Sequence, residues 1–202
     1  MKYLLKLSII PIVYLLFEAM IALGILTIGD NLLWLKIVLS ILNLGLYAVI
    51  VWSICFKEGE KALKVRLAND LERMQIIRTG EDRPLKLKEE YKTWKGFAIG
   101  LITCAPMVIL LIVHTILISV NPAWTGAGAI VNFVYLVFNA FIHLNLETTV
   151  YAPWQFYFNL IALIIIPLIT GISYMLGAKK IELQQEKIRE KQRQIYGDNY
   201  NG

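Results

Sequence analysis

Between Lys95 and Lys179 the chain runs 83 residues without a lysine or arginine, while 17 of its 20 basic residues crowd into two blocks, Lys57 to Lys95 and Lys179 to Arg193. Basic residues are retained on the cytoplasmic side of a bilayer, so two such blocks separated by long apolar stretches constrain both class and orientation. The pattern predicts an all-α membrane protein, multi-pass in a bacterial-type plasma membrane, with both termini cytoplasmic. Composition points the same way. The hydrophobic fraction is 57%, against about 45–50% in globular domains, and it is gathered into runs instead of being spread periodically. A net charge of +5 on a soluble module would suggest nucleic acid. Here the charge flanks apolar runs, so anionic lipids of the inner leaflet are the expected partner and nucleic acid is not.

Four crossings follow from the runs. The first, 3–28, begins after Lys2, and its uninterrupted part from Leu7 to Ile28 makes about 33 Å of helix, enough for a hydrocarbon core of about 30 Å. No small-residue cleavage site precedes the second run, so the first reads as a retained helix. The second, 32–56, follows so short a turn that the two must form a hairpin spanning 1–56. The third is 97–120 and the fourth 155–177, within a unit 97–178. An even number of crossings keeps both basic blocks on one side. The segment 121–154 between the last two crossings has an apolar part, 129–144, only about 24 Å long as a helix. Asn132, Asn139 and His143 share one face of it, which fits an outer interfacial or re-entrant helix. A fifth crossing with that polar stripe turned inward is the alternative.

The loop 57–96 carries 11 basic and 8 acidic residues. Leu63, Leu67, Leu71 and Met74 form one apolar stripe on a helix that Thr79 and Gly80 should stop. The pattern resumes after Pro84 with Leu87, Tyr91 and Trp94, predicting an amphipathic cytoplasmic helical hairpin along the inner leaflet. The tail 179–202 should continue the fourth crossing as a helix. Ile181, Ile188 and Ile195 are seven apart, but the intervening core positions are glutamines, a weak coiled-coil signal.

Polar residues inside the runs are the candidates for function. Glu18 lies about 17 Å into the first crossing, near the midplane, where a carboxylate costs on the order of 2.5–3.5 kcal/mol to insert. Its expected partners are His114, Asn43 and Asn159, as a proton or cation site or as interhelical hydrogen bonds that hold the bundle together. His143 and Glu147, with Asn139 and Asn132, form an outer interfacial candidate. Neither this pair nor any HExxH or clustered Cys/His pattern supplies a metal site. Gly96 with Gly100, and Ser173 with Gly177, have the spacing of close helix packing. Cys55 and Cys104 read as free thiols serving as small apolar side chains.

No P-loop, GxSxG or dinucleotide fingerprint is present, and no cofactor is implied. The leading expectation is a non-catalytic subunit, scaffold or partner-binding component, working with a membrane-protein partner or as a homo-oligomer. Two alternatives remain open. One is a small transporter or channel component built around Glu18 and His114. The other is a membrane-embedded enzyme on a lipid substrate using His143 and Glu147.

Overall fold

The computed structural model describes residues 2–26, 28, 30–80, 90–120 and 153–196. These residues form four α-helices and no strand: α1 Lys2–Leu26, α2 Leu33–Thr79, α3 Trp94–Val120 and α4 Pro153–Tyr196, with a 3-10 turn at Asp30–Leu32 leading into α2. Two stretches, Trp34–Thr79 and Leu163–Ile195, are long and apolar enough to cross a membrane. In α1 and α3 the apolar residues spread round the whole circumference instead of forming one stripe. Helices of that kind have no face that prefers water.

Pro11, Pro106 and Pro167 lie inside α1, α3 and α4, each removing one backbone donor from its helix.

α1 packs on α2 and α3, and α4 packs on the same two helices, so the ring order is α1, α2, α4, α3. One core cluster runs through all four, with Leu4 and Leu15 from α1, Tyr47, Val51 and Cys55 from α2, Ile99 and Cys104 from α3, and Ile166 and Tyr174 from α4. Neither cysteine is in a disulfide, and both are buried. A second cluster, Leu63 with Ala178 and Ile181, joins α2 and α4 at the start of their charged extensions, with Tyr91 packed against it.

The structure differs from the sequence-based expectation in three places. The second apolar run and the first arm of the loop are one continuous helix of 47 residues, about 70 Å long. Between Phe56 and Thr79 there is no proline, and the single glycine, Gly59, is too weak a breaker to stop a helix made otherwise of good helix formers. The helix ends where Gly80 adopts φ +68° and donates its N–H to the Ile76 carbonyl at 2.9 Å, a left-handed cap that glycine enters without Cβ strain.

The second difference concerns the stripe. Leu63 is buried and Leu67 half-buried, whereas Leu71 and Met74 are about two-thirds exposed. The near half of the arm therefore packs on the extension of α4, and only its far half presents apolar side chains outward. Third, Tyr91 is not helical. Its backbone N–H bonds to the Ala62 carbonyl at 3.0 Å and its ring stacks on Tyr174, with centroids 5.3 Å apart and planes 11° from parallel. Those two contacts hold the chain across α2 and α4, so the next helix starts only at Trp94. Asn132, Asn139, His143 and Glu147 lie outside the described residues.

Candidate functional site

In each of α1, α2 and α3 the bundle interior receives polar side chains, and the packing of each helix on its neighbours explains where they go. Ser8, one-third of the way along α1, donates to Leu4 O at 2.9 Å and to Ile99 O of α3 at 3.2 Å. Nearly three turns further on, Glu18 is only 5% exposed. Asn43 of α2, equally buried, donates its Nδ2 to the Glu18 backbone carbonyl at 3.1 Å. Glu18 and Asn43 are thus brought together, but through the main chain of Glu18 and not its carboxylate.

The carboxylate itself makes no hydrogen bond or ion pair among the described residues. Tyr47 is one turn from Asn43 on the same face of α2, is 5% exposed, and has a hydroxyl with no hydrogen-bond partner among the described residues. It lies within electrostatic reach of Glu18, and of Cys104 and Cys55. A carboxyl and a phenol are thus both buried in the interior, one on α1 and one on α2. Each can donate or accept a proton, and leaving either unsatisfied costs roughly 1–3 kcal/mol. His114 is in α3 and Asn159 in α4, but the side chains of both lie outside the described set.

Two residues here escaped the sequence reading. Tyr47 looked like one more aromatic in an apolar run. Lys36, only 7% exposed, sits at i−7 from Asn43 and i−11 from Tyr47, hence on the same helical face. It is the one basic residue between Lys6 and Lys57, which is the signal that marks it.

Where α2 and α4 cross, the helices touch backbone to backbone. A Cβ on Gly177 would strike the Phe56 carbonyl, and one on Gly59 would strike the Tyr174 carbonyl, both closer than any real Cβ approaches. On the α3 side, a Cβ on Gly96 would come within 2.7 Å of the Tyr174 Cβ, and one on Gly100 would collide with Pro167 and Thr170. Ser173 is fully buried and donates to Thr170 O at 3.1 Å. Gly96, Gly100 and Gly177 thus lie against a neighbouring helix, while the Ser173 hydroxyl bonds within α4. Gly59 and Gly171, which also leave no room for a side chain, were missed because Gly59 stands among charges and Gly171 has no glycine four positions away.

Below this crossing a polar anchor holds the loop end. The Glu90 carboxylate accepts from Asn69 Nδ2 at 2.6 Å and Arg73 Nη2 at 2.6 Å, and Arg73 also pairs with Asp70 at 2.7 Å. The Asn69 amide, and after it Arg73, hold the Glu90 carboxyl below its ordinary value. Lys95 donates to the Glu90 carbonyl at 2.7 Å and lies over the Tyr3 ring, while the Tyr3 hydroxyl donates to Glu58 at 2.8 Å. On α4, Lys180 pairs with Glu60 at 2.6 Å. Among the described residues no group of three or more His, Cys, Asp or Glu could hold a metal ion.

Comparison with protein-family models, with curated proteins and with solved structures finds no match to this chain.

Proposed function

We propose that this chain is a non-catalytic integral membrane protein with four crossings and both termini in the cytoplasm of a bacterial-type cell, and that the paired extensions of α2 and α4 form a stalk that docks a partner. One observation carries the reading: the distribution of polarity is inverted. Ser8, Asn69, Thr103, Thr170 and Ser173 are fully buried, while Phe17, Met20, Trp34, Leu42, Val49, Leu101, Ile109 and Ile164 are each about 60% or more exposed, or close to it. A soluble monomer rarely exposes a contiguous apolar patch above roughly 300–600 Å², and here large apolar side chains are exposed on all four helices. In a bilayer the same surface faces acyl chains, and small polar residues become the means by which helices associate.

The first charged residues after each apolar run support a common level for the inner boundary. They are Lys57 on α2 and Lys179 on α4, and on the entering helices Lys6 and Lys95. The test is labelling of intact cells carrying a single engineered cysteine at position 75 or 190 in a chain with Cys55 and Cys104 replaced. Protection from an impermeant maleimide until the membrane is permeabilised supports the orientation, and labelling of intact cells overturns it. Purification in mild detergent followed by mass measurement tests the partner: a bare monomer counts against docking.

A second reading is favoured by the buried Glu18 carboxyl and the buried Tyr47 hydroxyl, neither of which has a hydrogen-bond partner among the described residues. Such a pair suits a proton or cation site in a transporter or channel component, with His114 as a further group. With four crossings a pathway would need an oligomer or a larger partner. Proton uptake in proteoliposomes that is lost on Glu18→Gln is what this reading requires.

A further inference from the structure

The extension of α4 separates its charges by face. Glu182, Gln185, Glu186, Arg189, Glu190 and Arg193 line one groove with Leu67 of α2. Lys179, Lys180, Leu183, Gln184 and Lys187 line another with Phe56 and Leu176. Both sets follow the i, i+3, i+4, i+7 spacing of a helical stripe. All three carboxylates of this stretch fall in the first groove, and the second contains only cationic charge. The first groove mixes both signs, as a solvated helix face does, whereas the second carries lysine alone.

We propose that the second groove binds one anionic glycerophospholipid of the inner leaflet, a proposal that rests on the membrane reading above. The groove has a volume of about 590 Å³. Its floor is the Phe56 ring with Leu176 and Leu183, which are 41% and 48% exposed. Ile172 stands one turn above Leu176 and Trp52 one turn above Phe56, both also exposed, so the floor continues into the outward apolar surface along which an acyl chain would lie.

Lysine marks the opposite end. Lys180 is engaged by Glu60 and lies 5.4 Å from the centre of the Phe56 ring, which closes the floor and neutralises that pair. Lys179 and Lys187 have no ion pair among the described residues. Side chains on a helix lean toward its N-terminus, which for α4 is the apolar end. Lys187, about 12 Å further along the axis than Lys179, therefore reaches back toward it, and the Gln184 amide lies between them. Two unneutralised cations and an amide donor beneath an apolar trough match a phosphodiester with its chains above. A soluble acidic peptide would leave the trough uncovered, and a zwitterionic lipid would bring a second cation to the lysines.

The test uses the purified full chain in detergent, titrated with phosphatidylglycerol, phosphatidylcholine or inorganic phosphate and followed by native mass spectrometry. One bound phosphatidylglycerol is expected. At about fivefold per lysine near the headgroups, K179Q/K187Q should weaken it about 30-fold and K179R/K187R should restore it. R189Q/R193Q removes the same charge from the other face of the same helix and should change binding by less than about threefold. Equal loss in the two glutamine pairs, equal binding of phosphatidylcholine, or displacement by inorganic phosphate at lipid-like concentration overturns the proposal. Extraction of the wild-type chain from membranes by alkaline carbonate would instead overturn the membrane reading. A chain that resists extraction but shows no preference between the faces removes the groove alone.

Discussion

Replacing Gly177 by alanine tests the backbone contact on which the α2–α4 pair is built. A new Cβ there meets the carbonyl of Phe56 and not the flexible end of a side chain, so relief requires the helices to part by on the order of 1 Å. A gap of that size forfeits a quarter to a half of each affected van der Waals contact. The seam includes Val51, Cys55, Ala62 and Leu63 on α2 and Tyr174, Ala178 and Ile181 on α4, all 5% exposed or less. Overpacking of this kind costs about 1–3 kcal/mol, against a gain of up to about 1 kcal/mol from the helix propensity of alanine, and the steric term should win. Cys55 reports the outcome, because it lies in the seam 1% exposed. A net loss of about 1.4 kcal/mol would make its alkylation under native conditions about tenfold faster. Gly45→Ala is the control, since nothing stands within 4 Å of a Cβ at that position on α2, the helix that carries Cys55; it should leave alkylation unchanged or slow it. Gly59→Ala should resemble Gly177→Ala, and the two together should fall short of additive because the first already separates the helices. If Gly177→Ala instead behaves like Gly45→Ala, the close crossing is not what stabilises the pair.

A double-mutant cycle with Tyr91→Leu and Tyr174→Leu should return a coupling of about 0.5–1.5 kcal/mol for the stacked rings, measured by thermal unfolding; additive effects would mean that Tyr91 is merely nearby. The Glu90 carboxyl should titrate below its ordinary value of 4.5 when followed by NMR, and Asn69→Ala should move it up further than Arg73→Ala does. Because the folded value is the depressed one, the anchor stabilises the fold above about pH 4.5 and its contribution is lost as pH falls through the lowered value. Asn43→Leu should destabilise the α1–α2 contact by about 0.6–2 kcal/mol, whereas Glu18→Gln, which leaves the backbone carbonyl in place, should retain that bond and cost less than Asn43→Leu in the same thermal-unfolding measurement.

The helices were legible in the sequence because length and apolar density alone determine them. The run 32–56 read as a helix by its length, and Gly80 read as the stop of a separate helix in the loop. What could not be read was where a helix continues past the end of its apolar run, because Phe56-Lys57-Glu58-Gly59 looks like a boundary by composition yet contains nothing that breaks the backbone hydrogen bonds. Tyr91 shows the opposite failure. Its spacing from Leu87 and Trp94 is helical, but its backbone N–H is claimed by Ala62, 29 positions earlier, and its ring by Tyr174, 83 positions later. Local periodicity has no access to partners at that distance. The candidate site divides in the same way. Glu18 and Asn43 stood out as polar residues in apolar surroundings, whereas Tyr47 became visible only when its hydroxyl was found buried without a partner among the described residues.

The two seams of α4 are unlike, and the difference bears on how the molecule can respond to a partner. Against α2 the contact runs from the bundle interior, past the crossing at Gly177, to Leu63 and Ile181 in the charged extension. Against α3 the close contacts end at Gly96, two residues after α3 begins. Any partner that grips the exposed Leu71, Met74, Ile188 or Ile195 therefore acts on α2 and α4 together, and through them on α1 and α3 only by way of the bundle. The connection passes through Tyr91 stacked on Tyr174, and through Glu90 held by Asn69 and Arg73 while its carbonyl accepts from Lys95. A stalk that moves relative to the α1–α3 pair must strain or break that anchor. Arg73→Ala, which removes two of its ion-pair contacts without entering the bundle, should therefore change the exchange rate of the Tyr91 amide while leaving alkylation of Cys104 unaltered. If both respond alike, the extension and the bundle form one cooperative unit and the anchor has no separate role.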